Sequence, residues 1–365
     1  MERRSLSYSD GPITVDRKQL VEDLNFIKKS LPAKGSKPME PEMKNIFFDT
    51  EKMFSCNGTT LSVICGEYDF GIYGCFEGFS FINLISMLGE KKVKLEFDNI
   101  KEGVGQLVAK SGTASFGVRY YGKTKLHSIV KQIDVDSVTK WHRLTSDIKE
   151  ALLMCAMYTS KDNMRPAITG VLANKEEVIA TDRYRINWIK FKKPTHFKGV
   201  VIPGTALAYI NEFTHYAVFD KRVFFKNGNR YFVSVLITNE FPLDSSKKLF
   251  PKISKKTFSL PTEINKAIDG VLALVEEDFI LDKTINVTVK SGTVVCKAEK
   301  KELGWYRKEI KLNKAFEGAP IEFSANPVFL KEILRKSGQV GYVDNEKLLI
   351  FTDNIKHLIA LKRVI

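Results

Sequence analysis

The sequence predicts an α+β protein assembled from three copies of one unit, each with two helices on antiparallel sheets. Two observations lead there. An apolar strand ending in a small residue and an acid recurs at Leu61–Glu67 (LSVICGE), Glu177–Asp182 (EVIATD) and Thr293–Glu299 (TVVCKAE). Their junctions, Gly66-Glu67, Thr181-Asp182 and Ala298-Glu299, lie 115 and 117 positions apart. The elements around each junction also recur in one order: helix, strands, helix, strands. A repeated unit constrains architecture more tightly than any single motif.

The first helix of each copy follows from apolar residues at a period near 3.6. These are Leu20, Leu24 and Ile27 within Asp16–Ser30, Ile148, Leu152 and Cys155 within Ser146–Tyr158, and Ile264, Ile268 and Val271 within Thr262–Leu274. The second helices are Phe81–Leu88, Thr205–Phe213 and Pro327–Ser337, the last begun by Asn326 as N-cap with Pro327 in the first turn. Short strands then close each copy, at Val93–Phe97, Val223–Phe225 and Gly341–Val343, each ahead of turn residues. Strands served by single helices favour helices on one face of antiparallel sheets. The expected domains are residues 1–136, 137–255 and 256–365, with connectors near 134–140 and in the Pro- and Lys-rich PKISKK at 251–256.

Composition narrows the class of function. A formal charge of +14 points to a polyanionic partner. The sequence has no apolar run long enough to span a bilayer, and Met1–Asp10 lacks the apolar core of a signal peptide, so nucleic acid is favoured over a membrane surface and a cytoplasmic location is expected. The 5 cysteines show no Cys-x-x-Cys pair and read as reduced core residues, and the 5 histidines form no zinc pattern. Phosphate-binding glycine loops and nucleophile elbows are missing too, and no cofactor or metal is expected.

The middle copy carries an unusual joint. Gly170–Phe191 reads as strand, turn and strand, with Thr181-Asp182-Arg183-Tyr184-Arg185 at the corner. Asp182 and Arg183 fit an ordinary hairpin turn. Tyr184 and Arg185 also fit a binding wall, since these residue types often carry interface energy.

Over nearly its whole length the chain resembles the bacterial replicative sliding clamps, the beta subunits of chromosomal DNA polymerase. Arg165-Pro166-Ala167-Ile168-Thr169-Gly170 followed by Ile179–Ile186 is similar to the family's middle-domain signature, where a Thr-Asp-Gly-His-Arg-Leu string is typical. Phe241-Pro242 with Pro251 resembles its linker, and Phe323–Leu334 its third-domain helix. The chain ends on a strand, His357–Ile365, without the proline and methionine of the family's tail, and its basic charge is a second departure. That charge is compatible with tighter DNA contact, a viral or otherwise diverged origin, or an acidic partner.

The resemblance implies a ring of two subunits joined head to tail, with helices lining a hole through which duplex DNA passes without sequence-specific contact. Lys28, Lys29, Lys34, Lys37, Lys149, Lys161, Arg165, Lys266 and Arg335 are the candidate DNA-facing residues. Partners implied are double-stranded DNA, a DNA polymerase, a clamp loader and a second copy of the chain. The partner-peptide pocket carries over as Ile168, Thr181, Arg183, Tyr184, Arg185, Ile186 and Pro242, with Leu249 a weaker match. It would take a short peptide, Gln-containing and ending in Leu or Phe. Phe116 against Leu272 and Leu274 is the implied subunit interface. Two alternatives stay open: a metal-dependent nuclease using Asp69, Asp182 and Glu299, and a DNA-binding or replisome scaffold of the same fold that does not close into a ring.

Overall fold

Antiparallel strands repeat one order three times along the chain. The computed structural model describes residues 12–49, 52–66, 68, 74–101, 104–122, 124, 133, 135–250, 257–312, 314, 317–334, 339–344, 346–352 and 354–362. The first copy runs β1 (Ile13–Asp16), α1 (Arg17–Ile27), β2 (Asn45–Phe48), β3 (Lys52–Cys56), β4 (Thr60–Cys65), β5 (Gly74–Glu77), α2 (Gly78–Met87), β6 (Lys92–Lys101), β7 (Val104–Ser111) and β8 (Ala114–Tyr121). The second comprises β9 (His142–Arg143), α3 (Ser146–Ala156), β10 (Gly170–Ala173), β11 (Glu177–Thr181), β12 (Arg185–Lys190), β13 (Val200–Pro203), a 3-10 helix (Gly204–Glu212), β14 (His215–Phe219), β15 (Arg222–Asn227) and β16 (Arg230–Val235). A short helix, α4 (Leu243–Lys248), follows. The third comprises β17 (Thr257–Ser259), α5 (Ile264–Leu274), β18 (Ile285–Val289), β19 (Thr293–Lys300), β20 (Gly304–Lys311), β21 (Ile321–Ala325), α6 (Pro327–Leu334), β22 (Gln339–Asp344), β23 (Lys347–Phe351) and β24 (Ile355–Ala360).

Each copy contributes two runs of four strands, β1-β6-β7-β8 with β5-β2-β3-β4 and their equivalents. Runs from neighbouring copies then fuse. Thr60–Ile64 of β4 pair with Arg230–Ser234 of β16, and Arg185–Ile189 of β12 pair with Ile355–Ile359 of β24. With β8 also pairing β5 inside the first copy, the fusions give a 12-stranded and an 8-stranded sheet, and leave β21-β18-β19-β20 as a 4-stranded sheet with β20 at its edge.

This topology corrects the register of the repeat. LSVICGE is β4, whereas EVIATD falls in β11 and TVVCKAE in β19, whose counterpart in the first copy is β3. The joint matching Asp182-Arg183-Tyr184 is therefore Asn57-Gly58-Thr59, since Thr181 pairs with Ile186 as Cys56 pairs with Leu61. Neighbouring strands of one sheet share the same alternation, so a slip by one whole strand leaves the hydrophobic pattern intact.

Polar side chains start α1, α2 and α6. Asp16 accepts the Gln19 amide at 3.1 Å ahead of α1, and Asn326 accepts those of Val328 and Phe329 at 3.0 and 3.3 Å ahead of α6, as expected of these residue types. Glu77 does the same for Phe79 and Ser80, so α2 begins three residues before the predicted Phe81. The helix expected at Thr205–Phe213 is the 3-10 helix over Gly204–Glu212, whose Thr, Tyr and Ile residues favour the α form weakly.

Packing divides the chain into two units, residues 1–145 with 209–236 and residues 146–208 with 237–365. In the first, Phe47 stacks on Phe54 at 5.3 Å within a core that includes Cys75, Phe224 and Val233. There α1 buries Asp23, which accepts from Arg230 at 2.6 Å, Tyr68 at 2.6 Å and Gln19 at 3.0 Å. This pair ties the first copy's helix to the strand that the second copy adds to its sheet. In the second unit, Ile168, Leu172, Ile179, Ile186, Leu349 and Leu358 form an apolar layer with Phe241.

Gly170 opens β10, where a Cβ would sit 2.7 Å from the Ile202 carbonyl oxygen and from the Val201 and Ile237 side chains. Gly170→Ala is expected to cost about 1–3 kcal/mol through overpacking, measured as a lower urea midpoint with an unchanged m-value.

Candidate partner-binding site

Strand alternation sends the residues of the middle joint to opposite faces. Ile186 and Trp188 join the apolar layer of the second unit, and Tyr184 precedes them at the same spacing. Arg185, Asn187 and Ile189 take the other face. Tyr184 is 43% exposed, whereas Arg185 is 8% exposed.

The corner itself is tightly hydrogen-bonded. Thr181 Oγ1 donates to the Arg185 carbonyl at 2.9 Å and accepts the Arg183 amide at 3.1 Å. Asp182 Oδ1 accepts the amides of Tyr184 and Arg185, both at 3.0 Å. The Ala360 amide at the end of β24 donates to the Tyr184 carbonyl at 2.8 Å, which fixes the corner to the C-terminal strand. These bonds hold Arg183 at φ +80°, a left-handed conformation, where the matching Gly58 has φ +90°. A side chain there is strained in a way that glycine is not.

Arg185 is committed within the chain. Its Nε donates to Asp182 Oδ2 at 2.8 Å, its Nη2 to the Met157 carbonyl at 2.8 Å, and its Nη1 to the Glu332 carboxylate on α6. The guanidinium lies 4.4 Å from the Tyr158 ring centroid and 4.1 Å from that of Phe329. Burial opposes its charge, but Asp182 and Glu332 more than offset this and hold its pKa above the ordinary value. Arg185 thus supports the corner from behind, and the open side of the wall falls to Tyr184.

Behind Arg185 the joint between β12 and β24 buries an unusual pair. Asn187 faces His357 across the strands, and their side-chain nitrogen and oxygen atoms have no hydrogen-bond partner among the described residues. His357 stacks on Tyr158 at 5.6 Å, and burial, followed by the nearby Arg185 charge, pushes its pKa down to about 3. Burial likewise raises the Tyr158 phenol.

The remaining pocket candidates divide into floor and rim. Ile168 and Ile186 are buried in the apolar layer, and Thr181 is buried in the corner. Arg183 and Pro242 are exposed, and Leu249 is 47% exposed beside Phe250, which packs on the layer. Trp188, Leu243 and Phe250 belong to the same face but were missed. Extending the alternation from Ile186 would have found Trp188; the other two lie in a linker without periodicity.

Of the candidate DNA-facing residues, Lys28, Lys34, Lys37, Lys161, Arg165 and Lys266 are exposed and Lys149 is half-buried. Lys29 departs from expectation. Glu212 binds its ammonium group, which also lies 5.0 Å and 5.1 Å from the Phe26 and Tyr209 ring centroids. Its charge is neutralised locally. Arg335 lies outside the described residues, as does Asp69. Asp182 has both oxygens occupied by the corner and Arg185, and no group of three His, Cys, Asp or Glu among the described residues is placed to hold a metal. Nor is any described helix long and apolar enough to cross a membrane.

Phe116 is half-buried on β8, edge-on to Phe81 at 5.9 Å, and Leu272 and Leu274 are half-buried on α5. β8 pairs with β5 only at Tyr120 and Tyr121, which leaves the edge along Ala114–Arg119 open among the described residues. The outer edge of β20 is also open there, and it presents Trp305 at 74% exposure beside Leu303 at 62%. An isolated exposed tryptophan leaves no periodic signal in sequence.

No family model matches the chain. It is 25% identical over 282 residues to the beta sliding clamp of Staphylococcus aureus, covering 73% of this chain and 70% of that protein. The Staphylococcus epidermidis beta sliding clamp is 23% identical over 286 residues. The fold matches the DNA polymerase sliding clamp of Bacillus subtilis with a TM-score of 0.80 at 19% identity, over 98% of this chain and 100% of that one. It also matches the Helicobacter pylori beta clamp bound to a DNA ligase peptide, with a TM-score of 0.77 at 17% identity over 97% of this chain and 100% of that one.

Two outcomes follow from the corner. Arg183→Gly is expected to stabilise the chain by about 0.5–1 kcal/mol in urea unfolding, by relieving the left-handed residue. His357 has a folded pKa of about 3 against an ordinary 6.5, so below pH 6.5 the unfolded chain binds a proton that the folded chain refuses. Stability present above that pH is therefore lost as the pH falls toward 3. A loss of about 2 kcal/mol is expected between about pH 7.5 and about pH 5, and His357→Gln should flatten the slope.

Proposed function

This chain is a diverged homologue of the bacterial beta sliding clamps, and from that premise we propose that it is a DNA polymerase processivity factor. It would encircle duplex DNA as a head-to-tail dimer and tether polymerase and other DNA-processing partners through the face around Tyr184 and Ile186. It acts as a tether and catalyses no reaction of its own, working in the cytoplasm with a loader that opens the ring.

The observation that carries this proposal is the pattern of sheet fusions. β4 takes β16 and β12 takes β24, so the third member of the series, β20, calls for β8, and among the described residues of one chain those two edges are open. A second copy supplies β8 to β20 and accepts β20 on β8. A contact of this kind, between different patches, closes into a ring when its rotation permits. Phe116 on β8 and Leu272 and Leu274 beside β20 would be covered by it, together with Trp305. Encirclement needs no base contacts, so exposed lysines and arginines such as Lys28, Lys161, Arg165 and Lys266 suffice to attract phosphates.

For partners, the buried Ile168 and Ile186 form a floor with Tyr184, Pro242 and Leu249 at its rim. Arg183, Thr181 and Arg185 set the shape of the corner. The H. pylori clamp is similar in fold and binds a peptide of DNA ligase; the proposal gives this chain a comparable peptide ligand. Its domains would be residues 1–136, 137–255 and 256–365.

The deciding experiment is retention on nicked circular DNA after loading. The ring is expected to stay on the circle and to slide off once the circle is linearised; equal release from both forms would leave only a non-ring scaffold. Tyr184→Ala is expected to weaken a polymerase-tail peptide roughly 10-fold or more without changing the urea midpoint. Arg185→Ala should instead cost about 3–5 kcal/mol of stability, because Asp182 and Glu332 lose their buried partner.

A further inference from the structure

Beside Ile186, on the same face, the half-buried indole of Trp188 gathers an excess of positive charge. Three ammonium groups lie over its ring, Lys247 at 5.0 Å, Lys356 at 5.1 Å and Lys190 at 5.9 Å from the centroid. Strand geometry puts them there: Lys356 sits directly opposite Trp188 in the pairing of β24 with β12, and Lys190 is two residues along the same strand. Phe250 meets the indole edge-on at 5.2 Å.

Among the described residues, one carboxylate is bonded to the cluster. Glu177 accepts the indole N–H at 2.8 Å on one oxygen and binds Lys247 on the other. Lys190 and Lys356 are exposed and have no ion pair among the described residues. Gathering like charges around one ring is unfavourable, and cation–π attraction at exposed sites offsets it weakly. A ligand that brings negative charge to this spot gains from both free ammonium groups.

We propose that the partner peptide carries an acidic side chain next to its apolar anchor, with the anchor on the Ile186 floor and the carboxylate against Lys190 and Lys356 at the Trp188 rim. This rests on the peptide-docking role proposed above. Charge complementarity of this kind adds specificity and speeds encounter. A single-stranded nucleic acid fits less well. Its bases need an open aromatic face to stack on, and here ammonium groups occupy the ring face while Phe250 and Glu177 hold its edges.

The test uses the full-length chain and two fluorescein-labelled peptides read by anisotropy. Both contain Gln and end in Leu-Phe; one has Asp-Asp beside this anchor, the other Asn-Asn. The Asp peptide is expected to bind roughly 10-fold tighter at low salt. That ratio should fall to about 2-fold or less in the Lys190→Gln, Lys356→Gln double variant, whose urea midpoint serves as the folding control. Equal affinity of the two peptides for the unaltered chain, both weakened by Tyr184→Ala, would overturn the acidic preference and leave the docking role standing. Failure of both peptides to bind would overturn both. Binding of an oligothymidylate that is lost in the double variant, with the peptide ratio unchanged, would assign the cluster to nucleic acid instead.

Discussion

Backbone pairing between copies is the constraint on which the rest of this structure depends. Where β16 adds to β4 and β24 adds to β12, each sheet is extended by main-chain hydrogen bonds that need only correct alternation. Register is then secured by a side-chain staple at each joint. Arg230 on β16 reaches the buried Asp23 of α1, and Arg185 on β12 reaches Glu332 of α6. Both staples connect a strand of the second copy to a helix of a neighbouring copy. A joint that slipped would strand a buried charge, so the geometry has a sharp optimum.

The same constraint explains why the corner of the candidate site has its shape. Arg185 is both a member of the corner and the staple of the β12–β24 joint, so the turn before it cannot relax to suit Arg183. The left-handed residue at 183 is tolerated because Thr181, Asp182 and the Ala360 amide fix its neighbours. One side of β12 is given over to holding the copies together, and only the Tyr184, Ile186 and Trp188 side remains for a ligand.

Much of the architecture was legible in sequence because it is written in periodicity. The helices at Arg17, Ser146, Ile264 and Pro327 begin within a residue or two of their predicted starts, and the recurring order of elements is itself a sequence signal. What escaped depends on convergence between distant residues. Glu77 caps a helix without belonging to the usual capping types, Lys29 is neutralised by Glu212 from far along the chain, and Arg185 is buried by Tyr158 and Phe329 from two different helical regions. Net charge has the same weakness. It counts Lys29 and Arg185 in full, although both are spent inside the fold. The strand slip in the repeat shows the complementary failure, where a true periodicity was matched to the wrong strand.

The charges along β20 bear on the mate proposed for it. Its eight residues carry Arg307, Lys308, Glu309 and Lys311. Were two copies of this strand to meet antiparallel about their centre, Arg307 would face Lys308 twice, and like charges directly opposite are destabilising. β8 offers one charge, Arg119, among small and aromatic residues. The edge thus disfavours its own image, and in the ring proposed above this would give the contact a polar sense, leaving no electrostatically favoured way to stop at a face-to-face pair.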